Sequence, residues 1–270
     1  MAVTAVLVKE LNTKTGAGLL DCKKALTESD GDLDQAVDLI RKMGLATAGK
    51  KAGRSTKEGL IEAFYADGQA AIVEVLCETD FVSQTDNFKG FVSAVAERTA
   101  TGDYPEGNIA ETVQSTEEQN IGELIASIDE NIQIRRAVRW NTTGTVYSYI
   151  HDGGGVKMGS LVEVDGDHDA DFGKNLAMHI VASAPAYLSP DDVPADLVEK
   201  EKEIAKATPD LANKPDDIIE KILIGKINKW YTDVCLTKQK WVHDEKLSVE
   251  KAAANATIKR FVRWQVGEDL

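Results

Sequence analysis

The fold is decided by residues 59–68, GLIEAFYADG, and by a counterpart 85 positions later at residues 144–153, GTVYSYIHDG. Each stretch alternates apolar and polar residues and ends in Asp-Gly, which indicates a strand that leads into a hairpin turn. A partner strand follows each one, at residues 72–75 and 161–164, with four more residues between the strands in the second copy. The sequence therefore predicts two related β-hairpins.

Each predicted hairpin is followed by a predicted helix with an acidic start. The helices cover about residues 86–99 in the first copy and about residues 171–183 in the second. We therefore expect an α+β fold with a duplicated antiparallel-sheet-plus-helices core. Residues shared by both copies most simply serve this fold, whereas residues found in one copy are candidates for function.

The first copy carries an aromatic residue that the second copy lacks. Directly after its second strand it has residues 79–82, TDFV, whereas the second copy has residues 165–168, DGDH, at the equivalent point. A phenylalanine in this place either packs into the core or contacts a partner, and it buries roughly 150–250 Å² in doing so. Because the second copy manages without a large apolar residue there, the comparison favours a partner-facing Phe81.

Three short helices are predicted upstream of the core. Thr4 caps the first helix, and residues 15–18 end it. The second helix covers about residues 19–28, and the third runs from about Leu33 to Met43. The second helix is expected to bury some combination of Leu19, Leu20, Cys22 and Leu26. These helices resemble a ubiquitin-associated (UBA-like) domain, and residues 48–55, AGKKAGRS, predict a flexible basic linker that tethers it.

Two charged amphipathic segments follow the second copy, at about residues 195–207 and 215–230. With a break at Thr208-Pro209-Asp210 between them, they predict a helical hairpin inserted at about residues 190–234. Its apolar stripe comprises Ile218, Ile219, Ile222, Leu223 and Ile227. A last strand is expected at residues 258–266.

These elements predict three domains. They are a head with its linker at residues 1–55, a first core subdomain with the TDFV loop at residues 56–142, and a second core subdomain with the helical hairpin at residues 143–270.

Charge and composition narrow the classes of function. The formal net charge is −14, while residues 1–55 carry nine Lys/Arg against seven Asp/Glu. An acidic body repels nucleic acid, so direct nucleic-acid binding is disfavoured, including RNA binding through the head. No apolar run approaches the roughly 20 residues of a membrane helix, so no membrane partner is expected. Three scattered cysteines and the lack of an export signal indicate a cytoplasmic protein.

Nothing in the sequence forms a catalytic or metal-binding constellation. The histidines His151, His168, His179 and His243 lie in four separate segments without metal-ligand spacing. The chain has no GxSxG element and no phosphate-binding loop of the GxxxxGK[ST] type. We therefore expect a protein that is not an enzyme and that holds no metal and no cofactor.

Several runs of residues together resemble one family. They are residues 7–11, LVKEL; 15–26, TGAGLLDCKKAL; 79–82, TDFV; 130–136, ENIQIRR; 177–180, AMHI; and 261–268, FVRWQVGE. In this order they are similar to the motifs of bacterial elongation factor Ts, over nearly the whole chain. The resemblance implies a guanine-nucleotide exchange factor for elongation factor Tu that binds its GDP-bound and nucleotide-free forms.

The resemblance also implies roles for individual residues. Phe81 would wedge between helices of the nucleotide domain, and Asp80 would disturb the groups that hold magnesium. Thr79 and Val82 would fix the loop, the head would dock on the same domain, and the second core unit would grip another domain. Further candidate contacts are Lys9, Lys23, Ile128 and His151.

The chain departs from the family's motifs at one position, and one alternative function stays open. The family often has glycine where this chain has Asp129, in residues 128–131, IDEN. The alternative function is a protein-binding adaptor without exchange activity, with a tethered three-helix head.

Overall fold

The computed structural model describes residues 3–208 and 215–270. Contacts group the chain into two compact units. The first comprises the chain up to Thr142 with Ile150–Gly159 and Trp264–Leu270, and the second comprises Thr143–Tyr149 and Ser160–Arg263. The predicted domain boundaries after residues 55 and 142 stay predictions.

Three helices form the N-terminal head, as the sequence predicts: α1 (Ala5–Thr15), α2 (Leu19–Glu28) and α3 (Leu33–Lys51). The hydroxyl of Thr4 accepts a hydrogen bond from the backbone N–H of Leu7 at 3.3 Å and caps α1. A small core holds the three helices together, and it includes Leu11, Cys22, Ala25, Leu26, Ala36 and Ile40.

The third helix differs from the expectation. It continues past the predicted end at Met43 to Lys51, so the segment predicted as a flexible linker begins inside a helix. This helix packs along α7 (Glu118–Ile128). A Cβ on Gly44 would lie 2.5 Å from the carbonyl oxygen of Gly122 on α7, so glycine permits the close approach. Lys51 is buried, and its ammonium group donates to the carboxylate and the carbonyl oxygen of Asp129.

The first predicted hairpin forms an antiparallel pair, β1 (Glu58–Ala66) with β2 (Gln69–Cys77). Its turn lies at Asp67 and Gly68, with φ of 51° and 76°. These positive values suit the Asp-Gly pair of a two-residue hairpin. The sheet continues to β4 (Gln133–Asn141) and β3 (Gly107–Asn108) in the order β1-β2-β4-β3.

The helices α5 (Asp86–Thr101), α6 (Ala110–Thr116) and α7 pack against this sheet and its core. Only α5 is predicted from the sequence; α6, α7 and β4 are additional findings. The core includes Val73, Val75, Phe88, Val92, Val95, Ile121, Ile125 and Ile134.

The second predicted hairpin also forms, with β5 (Thr145–Gly153) and β6 (Val156–Gly166). The prediction of its turn at Asp152-Gly153 is wrong, because β5 continues through Gly153 and the turn lies at Gly154 and Gly155, with φ of 64° and 79°. Two glycines adopt these angles without the steric cost that aspartate meets. The strand order of this sheet is β5-β6-β9, with β9 at Ala256–Gln265, and α8 (Ala170–Ser183) follows the hairpin.

The duplication extends to a third strand and to an ion pair with a buried carboxylate. In the first sheet, Arg136 of β4 donates from Nε to the carboxylate of Glu74 on β2 at 2.6 Å. In the second sheet, Arg260 of β9 donates from Nε to Glu163 on β6, also at 2.6 Å. Because both copies contain this pair, we assign it to the fold.

The predicted helical hairpin is present as α9 (Ala195–Lys206) and α10 (Asp216–Val234). Leu223 and Ile227 of its predicted stripe are buried, Ile219 and Ile222 are partly buried, and Ile218 is exposed. Pro209 and Asp210 of the predicted break lie outside the described residues. The chain then forms β7 (Lys240–Trp241), β8 (Asp244–Ser248) and α11 (Val249–Ala252) before β9.

Within the described ranges, every helix is too short or too polar to cross a bilayer.

Candidate functional site

The candidate site is the loop that joins β2 to α5, here called the Phe81 loop and defined as residues 79–82. The strand ends at Cys77, and a single helical turn, α4 (Asp80–Ser83), follows. Thr79 caps this turn with extended backbone angles, and its hydroxyl accepts from the backbone N–H of Val82 at 3.4 Å. The local sequence explains the turn, since threonine caps a helix and aspartate suits its first position.

Phe81 points to solvent. Its residue surface is 81% exposed, whereas the adjacent Val82 packs against the sheet core and Ser83 is buried. One turn of helix thus directs neighbouring side chains to opposite sides. This geometry excludes the core-packing interpretation of Phe81. Fully burying a phenylalanine side chain contributes about 1.5–3 kcal/mol of favourable free energy. Because Phe81 is exposed in this fold, binding to a partner can supply that burial.

Asp80 is also exposed. Within the described residues its carboxylate makes no hydrogen bond or ion pair, while its backbone carbonyl accepts from the hydroxyl of Ser83 at 2.7 Å. The loop therefore presents a negative charge beside a large aromatic ring.

The turn after α7 holds the start of the Phe81 loop. The backbone N–H groups of Glu78 and Thr79 donate to Oε2 of Glu130 at 3.1 and 3.0 Å. The hydroxyl of Thr79 donates to Oε1 of the same carboxylate at 2.6 Å. In return, the backbone N–H of Asn131 donates to Oε1 of Glu78 at 2.7 Å. Two carboxylates thus connect segments that lie about fifty residues apart in the chain.

These contacts influence the ionisation of Glu78 and Cys77. The hydrogen bond from Asn131, and then the guanidinium of Arg54, lower the pKa of Glu78. Burial, with a smaller contribution from the charge of Glu130, raises the pKa of the Cys77 thiol to about 12. The protonated thiol donates to the carbonyl oxygen of Thr79 at 3.2 Å. Cys77 is therefore a support for the loop and not a nucleophile.

The far end of the loop has a separate support. The ammonium group of Lys157 donates to the hydroxyl of Ser83 at 2.5 Å and to the carbonyl oxygen of Gly59 at 3.0 Å. Lys157 belongs to the end of the β5–β6 hairpin, which groups with the first compact unit. Neither Lys157 nor Glu130 is predicted as a support from the sequence, although Glu130 begins one of the quoted motifs.

The further candidate contacts are dispersed. Lys9 and Lys23 are exposed on α1 and α2 of the head. Ile128 is partly buried against the core of the first sheet. His151 is partly buried near the end of β5, in the part of that hairpin that groups with the first unit. Their role as contacts stays a prediction.

Two of the four candidate core residues of α2 are exposed on the head, and the other two form the buried combination that the sequence predicts. Cys22 and Leu26 are buried as expected, but Leu19 and Leu20 are 58% and 83% exposed at the start of α2. Val6 on α1 is exposed as well. A single exposed apolar residue is ordinary, but the adjacent Leu19 and Leu20 are together a candidate for a protein-binding surface.

No group of three histidine, cysteine, aspartate or glutamate residues is arranged to hold a metal ion in residues 3–208 and 215–270. An exposed aromatic residue on a well-supported loop, with further apolar residues on a helical head, is instead typical of a protein that acts by binding another protein.

Comparison with known proteins identifies the family. A family model described as Elongation factor TS matches residues 78–268. Elongation factor Ts of Syntrophotalea carbinolica is 43% identical over 293 residues, which cover 100% of this chain and 95% of that protein. The corresponding protein of Trichlorobacter lovleyi is 43% identical over 299 residues, with 100% and 94% coverage. That of Nostoc sp. is 39% identical over 294 residues, with 99% and 93% coverage.

The chain belongs to the elongation factor Ts family. The resemblance seen in the sequence motifs is thereby confirmed. Membership implies a nucleotide exchange factor for elongation factor Tu that acts in protein biosynthesis.

Proposed function

We propose that this chain promotes GDP release from elongation factor Tu by inserting the Phe81 loop beside the nucleotide site of its partner. The observation that carries the proposal is the 81% exposure of Phe81 on a loop whose two ends are hydrogen-bonded to the rest of the unit. A loop that is already ordered loses little conformational entropy when it binds.

The energetic requirement follows from linkage. A GTPase holds its nucleotide through phosphate contacts and a magnesium ion. A factor that binds the distorted, nucleotide-free state more tightly must weaken nucleotide binding by the same ratio. Burying Phe81 only in that state supplies about 1.5–3 kcal/mol, which is a roughly ten- to hundredfold weakening.

In this mechanism, Phe81 wedges between helices of the nucleotide domain. The exposed carboxylate of Asp80 enters beside it and disturbs the groups that hold magnesium and phosphate. Thr79 and Val82 have supporting roles, consistent with the cap that Thr79 forms and the core packing of Val82.

The head docks on the same nucleotide domain, and the second compact unit grips another domain of the partner. The exposed Leu19 and Leu20 support the docking of the head, with Lys9 and Lys23 as flanking contacts. Ile128 and His151 are further proposed contacts. The protein acts in the cytoplasm, on GDP-bound and nucleotide-free elongation factor Tu, without direct nucleic-acid or membrane contact.

The test is release of fluorescently labelled GDP from elongation factor Tu at increasing amounts of this protein. Acceleration by substoichiometric amounts is expected, because each factor molecule acts repeatedly. Stoichiometric binding without acceleration would contradict exchange and favour the adaptor function. Binding to RNA with a steep salt dependence would instead favour RNA binding through the head.

A further inference from the structure

We propose that Glu130 is the positioning residue of the Phe81 loop, with a carboxylate that sets the backbone from which Asp80 and Phe81 project. The inference rests on the proposed function of that loop. It extends this function to a residue that is expected to act without contacting the partner's nucleotide site.

Glu130 replaces the missing strand partner of the loop. The pairing of β1 with β2 ends at Glu58 and Cys77, so the next backbone N–H groups need other acceptors. Both of them, on Glu78 and Thr79, donate to Glu130 at 3.1 and 3.0 Å. The 2.6 Å bond from the Thr79 hydroxyl completes three contacts to one carboxylate, immediately before Asp80.

Glu130 is itself held in place. Asp129 ends α7 with φ of 64° and ψ of 24°, and this left-handed residue turns the chain towards Glu130. The ammonium group of Lys51 donates to the carboxylate and the carbonyl oxygen of Asp129. On the other side, Asn131 donates to Glu78 at 2.7 Å. The carboxylate of Glu130 therefore belongs to a turn that is fixed on both sides.

The two ends of the loop depend on different supports. Val82 and Ser83 are held by core packing and by Lys157, which do not involve Glu130. Removing the Glu130 carboxylate thus releases the backbone of residues 78–79 while Asp80 and Phe81 remain chemically intact.

Comparison of the two copies separates this role from a purely structural one. The Glu-Arg pair with its buried carboxylate occurs in both sheets and serves the fold. The second sheet has neither an aromatic loop after β6 nor a carboxylate in residues 252–255, AAAN, which precede its third strand. The carboxylate at Glu130 therefore occurs only in the copy that has the Phe81 loop, and the sheet itself does not require it.

The experiment compares variants in the labelled-GDP release assay, titrated with the full-length factor to obtain a maximal rate and a half-saturating concentration. Glu130→Ala is expected to lower the maximal rate about tenfold, because one residue that the partner must order costs about this factor. The half-saturating concentration should change less, since the head and the second unit still dock. Glu130→Gln should restore the rate, because its amide oxygen accepts from both N–H groups and its NH₂ donates to Thr79.

Glu117→Ala is the matched control. The Glu117 carboxylate is nearly buried, whereas Glu130 is partly buried, and it likewise accepts three hydrogen bonds, two from Arg98 at 2.7 Å and one from Asn120 at 2.6 Å. This variant should melt at a lower temperature but keep the maximal rate. Equal loss of rate in both alanine variants would assign the effect to stability and overturn the proposal.

Phe81→Ala separates a failure of the positioning role of Glu130 from a failure of the proposed function of the loop. A slow Phe81→Ala with a fast, folded Glu130→Ala would overturn the positioning role alone, whereas a fast Phe81→Ala would remove the proposed function of the loop. If Glu130→Ala does not fold, Thr79→Val removes the hydroxyl bond to Glu130, and an unchanged maximal rate in that variant would count against the proposal.

Discussion

The contact between α3 and α7 makes a sharp prediction for two glycines of one helix. A Cβ on Gly44 would lie 2.5 Å from the carbonyl oxygen of Gly122 and 3.3 Å from the Cβ of Ala126, whereas a Cβ on Gly49 would meet nothing within 4 Å. Alanine favours the helix over glycine by about 0.5–1 kcal/mol at either position. At Gly44 this gain is opposed by an overpacking cost of about 1–3 kcal/mol, because the obstructing atom belongs to a backbone.

We therefore expect Gly44→Ala to lower the free energy of unfolding by roughly 1–2 kcal/mol, and Gly49→Ala to raise it by up to about 1 kcal/mol. Urea unfolding followed by far-ultraviolet circular dichroism measures both values, provided that the m value, the slope of the unfolding free energy against urea concentration, is the same for each variant. If Gly44→Ala were as stable as Gly49→Ala, the head would not be packed on α7, and the tethered-module interpretation would regain support.

Two further predictions concern buried polar groups. Glu74→Ala should destabilise the protein by about 3 kcal/mol, the lower end of the range for breaking a buried pair, because Arg136 loses its buried partner but keeps its ion pair with Glu268; Glu199→Ala, at an exposed pair, should leave the urea midpoint unchanged. Burial, opposed by a weaker hydrogen bond with Gln239, lowers the pKa of His179 from 6.5, so the unfolded chain binds this proton more readily. Stability should thus decrease as the pH falls below about 6.5, and a His179→Asn variant that keeps the same decrease in thermal melting would contradict this.

Local patterns predicted much of the fold. The first hairpin needs only alternating residues and a two-residue Asp-Gly turn, and both are local in sequence. The head helices carry their own caps, such as Thr4, and α9 and α10 show their apolar stripe directly. The second turn was misplaced by two residues because Asp152-Gly153 and Gly154-Gly155 are both acceptable turn sequences, and the choice between them depends on how far the strands pair.

The remaining features depend on contacts between distant residues. Glycine is typical of helix ends, so the sequence predicts that the helix stops before Gly44. Gly44 instead lies within α3, where α7 approaches closely. The exposure of Phe81 was inferred from the comparison of two copies, but its support by Glu130 joins residues about fifty positions apart. No periodicity or spacing within either segment predicts that these two segments contact each other.

The most direct test of the account is the maximal rate of GDP release from elongation factor Tu with Phe81→Ala, compared with Leu270→Ala, which removes another exposed apolar side chain of the first compact unit. The account predicts a roughly ten- to hundredfold lower rate for Phe81→Ala, with melting unchanged in both variants and a normal rate for Leu270→Ala. A wild-type rate for a folded Phe81→Ala would contradict it.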